Sequence, residues 1–260
     1  MRSALIATRT VRIRSNDLFT VALVGADGSG KTTLTHRLVE TLPFPVKYVY
    51  MGINLESSNL VLPTTRLLLE IKRLRGKRPD MRGPFDPSLR KSAPRGILKR
   101  TAAGLKSSLR TANTLAEEWF RQAVVASYQR RGFIVIFDRH FLFDYYFHHI
   151  LHKDKLLPTA DHLHGYILDR FYPRPDLVIC LDAPAEVLYA RKTEASLNLL
   201  ENRRQEYLQL RDIVKDFVVV DASRPQEQVL NDVRVLICDY YQAWHKKGLG
   251  IQGYHKGGHL

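Results

Sequence analysis

The stretch Leu18-Phe19-Thr20-Val21-Ala22-Leu23-Val24-Gly25, followed at once by Ala26-Asp27-Gly28-Ser29-Gly30-Lys31-Thr32-Thr33, decides the fold. Its first half is apolar, rich in β-branched residues and closed by glycine, the pattern of a buried strand. From Gly25 to Thr32 the residues match GxxxxGK[ST] in full. Glycines there let the backbone turn its N–H groups inward around phosphate oxygens. A helix starting near Lys31 points its positive end at the same place. Lys31 is then set to reach the β- and γ-phosphates of ATP, and the Thr32 hydroxyl to ligate Mg²⁺. The expected nucleotide-binding set is Gly25, Asp27, Gly28, Ser29, Gly30, Lys31, Thr32 and Thr33. The motif alone does not choose among kinase, GTPase and motor.

Outward from this turn, apolar strands alternate with helices. Strands are predicted at Val46–Met51, Phe133–Asp138, Leu177–Asp182 and Phe217–Asp221. Helices are predicted at Thr32–Leu42, Ser58–Leu74, Pro94–Arg131, Pro184–Leu200, much of Glu201–Asp216, and Gln226–Trp244, with a loop over Gly76–Ala93. Alternation of this kind implies a parallel sheet covered on both faces. The expected class is therefore α/β, a doubly wound five-stranded parallel sheet, in one domain over residues 1–260.

Functional side chains in such sheets stand at the carboxyl ends of strands. Asp138 ends one strand and Arg139 follows it. The carboxylate can hold Mg²⁺ or orient an attacking group, and the arginine can grip an acceptor phosphate in bidentate fashion. The bland alternative is a turn that caps the next helix. Asp182 also ends a strand and reads equally as a second metal-side carboxylate or a helix N-cap. Arg191, Lys192, Arg203 and Arg204 follow; Arg191 is the candidate for stabilising charge in transit, against a solvated face with local partners such as Glu194 and Glu206. His140, His148, His149, His152, His162 and His164 have no HExxH or cysteine partner, so a structural zinc site is not expected.

The chain has 260 residues, 45% hydrophobic and 25% charged, which excludes a disordered or fibrous protein. No apolar run approaches the roughly 18 residues a spanning helix needs. Cys180 and Cys238 form no CxxC pair and read as reduced thiols of a cytoplasmic protein. The leader Met1–Asp17 carries four arginines and no secretory h-region; it reads as an extension, with an organelle transit peptide as the alternative. The tail from Gly248 is glycine-rich.

The net charge is +14, and the segment from Thr64 to Arg110 holds 14 basic residues against three acids, a net +11. That segment reads as a basic helical insertion with three candidate partners: an anionic membrane surface, nucleic acid or a phosphorylated substrate. An apolar stripe at Leu67, Leu68, Ile71 and Leu74 beside Arg66, Lys72, Arg73 and Arg75 is the pattern of an interfacial helix. Absence of aromatics between Leu60 and Pro84 weakens a single-strand nucleic acid reading. A solvated insertion that aids solubility is the bland alternative.

Three stretches together resemble the thymidylate kinase-like branch of the P-loop nucleoside monophosphate kinases: Gly25–Thr32, Asp138-Arg139-His140, and Arg174–Val187 with its strand end Leu181-Asp182-Ala183-Pro184-Ala185-Glu186-Val187. The likeness continues through Arg191, Tyr207-Leu208 and Val220-Asp221-Ala222, covers about 18–55 and 118–242, and leaves out the basic segment. It implies ATP·Mg²⁺ as donor and a small-molecule phosphate acceptor opposite the phosphate loop. It also implies an acid at Asp27 facing the acceptor sugar, Asp138 and Arg139 acting on metal and acceptor phosphate, and Arg191 at the root of a short lid over 192–204. Phe143 and Phe147-His148 stand where the family shows a serine and Ala-Tyr-Gln. The family's acceptor arginine on the preceding helix falls near Glu117 or Glu118, with Arg121 off register. Two other readings stay open: a kinase of another acceptor, such as a nucleoside or sugar phosphate, and a nucleotide-binding regulatory module docked through the basic segment. A homodimer is a further candidate assembly.

Overall fold

The structure, a computed structural model, describes residues 18–54, 57–74, 97–146, 150 and 159–248. The leader, the loop at 76–93, the glycine-rich tail and His148, His149 and His152 lie outside the described residues.

Five strands, β1 (Thr20–Val24), β2 (Val46–Tyr50), β3 (Ile134–Asp138), β4 (Leu177–Asp182) and β5 (Asp216–Asp221), form one all-parallel sheet in the order β2-β3-β1-β4-β5. The fold is the expected doubly wound α/β sheet of P-loop kinase architecture. Helices cover both faces: α1 (Lys31–Thr41), α2 (Pro63–Leu74), α3 (Ile97–Arg130), α4 (Phe141–Tyr145), α5 (Thr159–Phe171), α6 (Ala185–Arg191), α7 (Leu197–Gln209) and α8 (Gln226–Gly248). The pleat of β1 sorts the core into two layers. Val21 and Leu23 pack with Leu34 and Leu38 of α1 and Val229, Val233 and Ile237 of α8. Ala22 and Val24 pack on the other side with Val125 of α3, Leu168 of α5 and Tyr207 of α7. All four β1 residues are fully buried, which explains their unbroken apolar reading.

The central position of β1 creates the functional crevice. Its chain returns by α1 to the edge strand β2, and β3 then inserts between them. Leu23 of β1 lies beside Asp138 of β3, and the Arg139 N–H donates to the Leu23 carbonyl at 3.0 Å. The turns after β1 and β3 therefore open side by side at the carboxyl edge, where the chain order reverses.

Four differences from the sequence reading have local causes. The helix predicted from Ser58 starts at Pro63, because proline suits a first helical position and Ser58 is occupied in a local turn with Leu60. The helix predicted over Pro184–Leu200 is two: α6 ends at Arg191, Lys192 is extended, and Ser196 caps α7 by accepting from the Leu199 N–H at 3.3 Å. Between Phe141 and Phe171, α4 and α5 stand where no helix was assigned. Asp182 is not an N-cap; Pro184 holds that place and makes no side-chain bond. Both cysteines are free, and no helix among the described residues is long and apolar enough to cross a membrane.

Candidate phosphoryl-transfer site

The turn after β1 has the backbone its sequence demands. Gly25, Gly28 and Gly30 all have positive φ. At Gly28 φ is +87°, and a Cβ there would stand 2.6 Å from the Leu188 carbonyl oxygen of α6, so both conformation and space require glycine. Lys31 opens α1 and is buried. Its ammonium is folded along the loop, donating to the Ala26 carbonyl at 2.7 Å and to Ser29 Oγ at 3.2 Å. Burial, then the positive Arg139, push its pKa down to about 8, against the pull of Asp27, Asp138 and Asp144. A lysine held this way gains most from an incoming polyanion. Thr33 is exposed in the first turn of α1.

Thr32 and Asp138, 106 residues apart, meet: the hydroxyl donates to Asp138 Oδ2 at 2.6 Å. The Tyr48 phenol of β2 also donates to that oxygen, at 3.3 Å. Burial and the adjacent carboxylate push the Tyr48 phenol up, which keeps it a donor. Asp138 Oδ1 is buried and has no hydrogen-bond partner among the described residues. A hydroxyl beside a carboxylate with one unsatisfied buried oxygen is the hard-oxygen donor set that Mg²⁺ prefers, so Thr32 and Asp138 fit that ion.

Arg139 is bent across the crevice. Its φ is +67°, the only positive value at a non-glycine residue among those described. Such a conformation costs roughly 1–2 kcal/mol and persists where the surroundings impose it. The bend carries the guanidinium to Asp27 Oδ1 at 2.6 Å. Burial alone would raise the Asp27 carboxyl, but Arg139 and Lys31 together hold it down at about 2, so it is charged at any working pH. Gly52 makes room for the arginine: a Cβ there would meet Arg139 Cδ at 2.7 Å and the Tyr50 hydroxyl at 2.6 Å.

Further groups close the site, and among them the sequence did not single out Asp144. Asp144 of α4 accepts from the Tyr207 phenol of α7 at 3.1 Å. Burial pushes the Asp144 carboxyl up, opposed by Arg139, Tyr207, Arg203 and Lys31. Arg204 of α7 grips Asp182 with Nε at 2.7 Å and Nη2 at 3.1 Å, so this strand-end carboxylate is engaged by a bidentate arginine. Arg203 pairs with Glu206 at 3.3 Å and Lys192 with Glu194 at 2.9 Å. Arg191 ends α6 and donates to the Ala222 and Ser223 carbonyls after β5, at 2.8 and 3.4 Å. It is the one predicted catalytic residue that the structure holds against another loop and not beside Lys31, Asp138 and Arg139.

Behind Arg139 and Gly52 lies a buried polar layer. Arg121 of α3 is fully buried; its Nη1 donates to the Tyr50 and Gly52 carbonyls at 3.3 and 3.0 Å, and its guanidinium lies 4.9 Å from the Phe141 ring centre. Glu117 accepts from the Leu62 N–H at 3.0 Å, and Glu118 bonds His164 Nε2 at 3.0 Å. His140 is buried among Phe137, Phe143 and Tyr172, and burial lowers its pKa to about 3, which keeps the ring neutral. A Glu-x-x-x-Arg spacing on a long helix reads equally well as an exposed pair, so only packing could reveal this layer.

No protein-family model matches the chain. The chain is similar to the protein described as "Probable thymidylate kinase 1" of Saccharolobus solfataricus, 27% identical over 223 residues, which is 84% of this chain and 95% of that protein. The match thus runs through nearly the whole relative.

Proposed function

We propose that this protein is an ATP-dependent phosphotransferase acting on a nucleoside monophosphate, with thymidine monophosphate as the first acceptor to try. One observation carries the reading: the Thr32–Asp138 bond places a metal-competent carboxylate beside the phosphate loop, while the adjacent Arg139 leans across to Asp27. A donor site and an anion-gripping arginine then face one crevice. The near full-length likeness to a probable thymidylate kinase supports the same reaction class.

In this reading the loop amides and Lys31 hold the β- and γ-phosphates, and Thr32 and Asp138 hold Mg²⁺, which neutralises charge on the phosphates when bound. Arg139 grips the acceptor phosphate, and Asp27, at 2.6 Å, fixes the direction of the guanidinium. No group need take a proton from a phosphate acceptor, since its oxygens are already anionic at neutral pH. Catalysis is then positioning and charge stabilisation. Arg191 would stabilise the transferring group after leaving the Ala222 and Ser223 carbonyls. The test is ADP release from ATP·Mg²⁺ with and without each nucleoside monophosphate. A kinase releases ADP far faster with its acceptor; a regulatory module hydrolyses slowly and ignores added nucleotides.

A further inference from the structure

The basic segment has a described part, α2 and the first half of α3, on which five aliphatic side chains are exposed. On α2, Thr65 is buried, and its hydroxyl lies 3.2 Å from Asn113 Oδ1 of α3. Leu67, Ile71 and Leu74, spaced four and three apart, are 58%, 36% and 88% exposed. A surface helix normally turns such a stripe into the core. On α3, Leu105 and Leu109 repeat the pattern at 65% and 63% exposure. Arg66, Arg73 and Arg110 are exposed beside them, in the stretch that carries a net +11.

We propose that this face docks on a lipid bilayer bearing anionic headgroups, with the aliphatic stripe of α2 entering the headgroup–acyl boundary. Three observations choose that occupant. The excess positive charge is complementary to an anionic surface, an attraction that salt screens over about 8 Å at physiological ionic strength. The exposed apolar residues are aliphatic, with no aromatic between Leu60 and Pro84, which suits acyl chains and not stacked bases. A second copy of the chain would set one +11 segment against another, which repels. The inference is independent of the phosphotransfer reading, because no residue of the proposed site takes part.

The experiment is cosedimentation of the full chain with vesicles of phosphatidylcholine alone and of phosphatidylcholine with about one third phosphatidylserine. The expected result is binding to the anionic vesicles only, weakened by salt. Arg66→Gln with Arg73→Gln should lower partition about thirtyfold, at about fivefold for each charge. Leu67→Ser with Leu74→Ser should lower it at least about tenfold, with the circular dichroism melt unchanged because both positions are solvent-exposed. Lys31→Ala should bind vesicles like the parent, which separates this inference from the catalytic one. Equal binding to neutral vesicles, indifference to the substitutions, displacement from vesicles by a single-stranded oligonucleotide, or a dimer in light scattering that these substitutions dissolve would each overturn the proposal.

Discussion

Lys31, Thr32 and the loop glycines lie within eight consecutive residues, whereas the surroundings of Arg139 combine Asp27 of that loop with the turn after β2, which α3 holds, and with α4 and α7. The donor side is a local structure: one strand, one turn and one helix start set its geometry. The acceptor side is a tertiary structure, held by the buried Arg121, the Glu118–His164 pair and the Asp144–Tyr207 bond. The two sides should therefore fail differently when damaged. Donor-side substitutions should remove activity and leave the fold, while substitutions behind the acceptor side should remove stability first.

The largest effect should come from Lys31→Ala, with kcat lower by about a thousandfold or more and little change in the melting temperature. A melt displaced by many degrees would break the contrast. Arg139→Gly comes next. Glycine adopts the +67° backbone without strain, so stability should hold or rise by about 1 kcal/mol while acceptor-stimulated turnover falls about a hundredfold. Arg121→Met should do the reverse. It removes the two bonds to the Tyr50 and Gly52 carbonyls at a fully buried site, and should lower unfolding free energy by about 2–4 kcal/mol in urea titration.

Titration sharpens the same contrast. Lys31 has its folded pKa lowered to about 8, and a bound polyphosphate favours the charged form. Affinity for ADP should be flat with respect to this group below about pH 8. Above that it should fall by up to about tenfold per unit, because the free protein must first take up a proton. Calorimetry in buffers of different ionisation heat should show proton uptake near pH 8.5, about one proton at most, and Lys31→Arg should abolish it. Tyr207→Phe should have the smallest effect, roughly three- to tenfold in kcat/KM, from loss of one hydrogen bond to Asp144.

What could be read in the chain follows the same divide. All five strands lie where the sequence places them, to within two residues, and β1, β3 and β4 are the plainest because a parallel strand buried on both faces is written as an uninterrupted apolar run. The phosphate loop and the strand-end Asp138 were legible for the same reason: each is defined by its immediate neighbours. Asp144 was not, and the partners of Arg121, Arg204 and Tyr207, which the sequence did name, were not either, since each pairing joins residues that are ordinary in their own elements and lie between 22 and 71 positions apart. The break at Lys192–Ser196 was missed because α6 and α7 both carry helical residues, and only the Ser196 cap marks the interruption.

If a donor site and an anion-gripping acceptor site share the crevice between β1 and β3, filling the second should speed transfer from the first. Single-turnover ADP formation from ATP·Mg²⁺, measured across a panel of nucleoside monophosphates, tests it most directly. One acceptor, thymidine monophosphate being tried first, should raise the rate at least about a thousandfold over hydrolysis, and Arg139→Gly should cancel the increase while ATP still binds. Tight ATP binding with slow ADP release that no nucleoside monophosphate accelerates would contradict it.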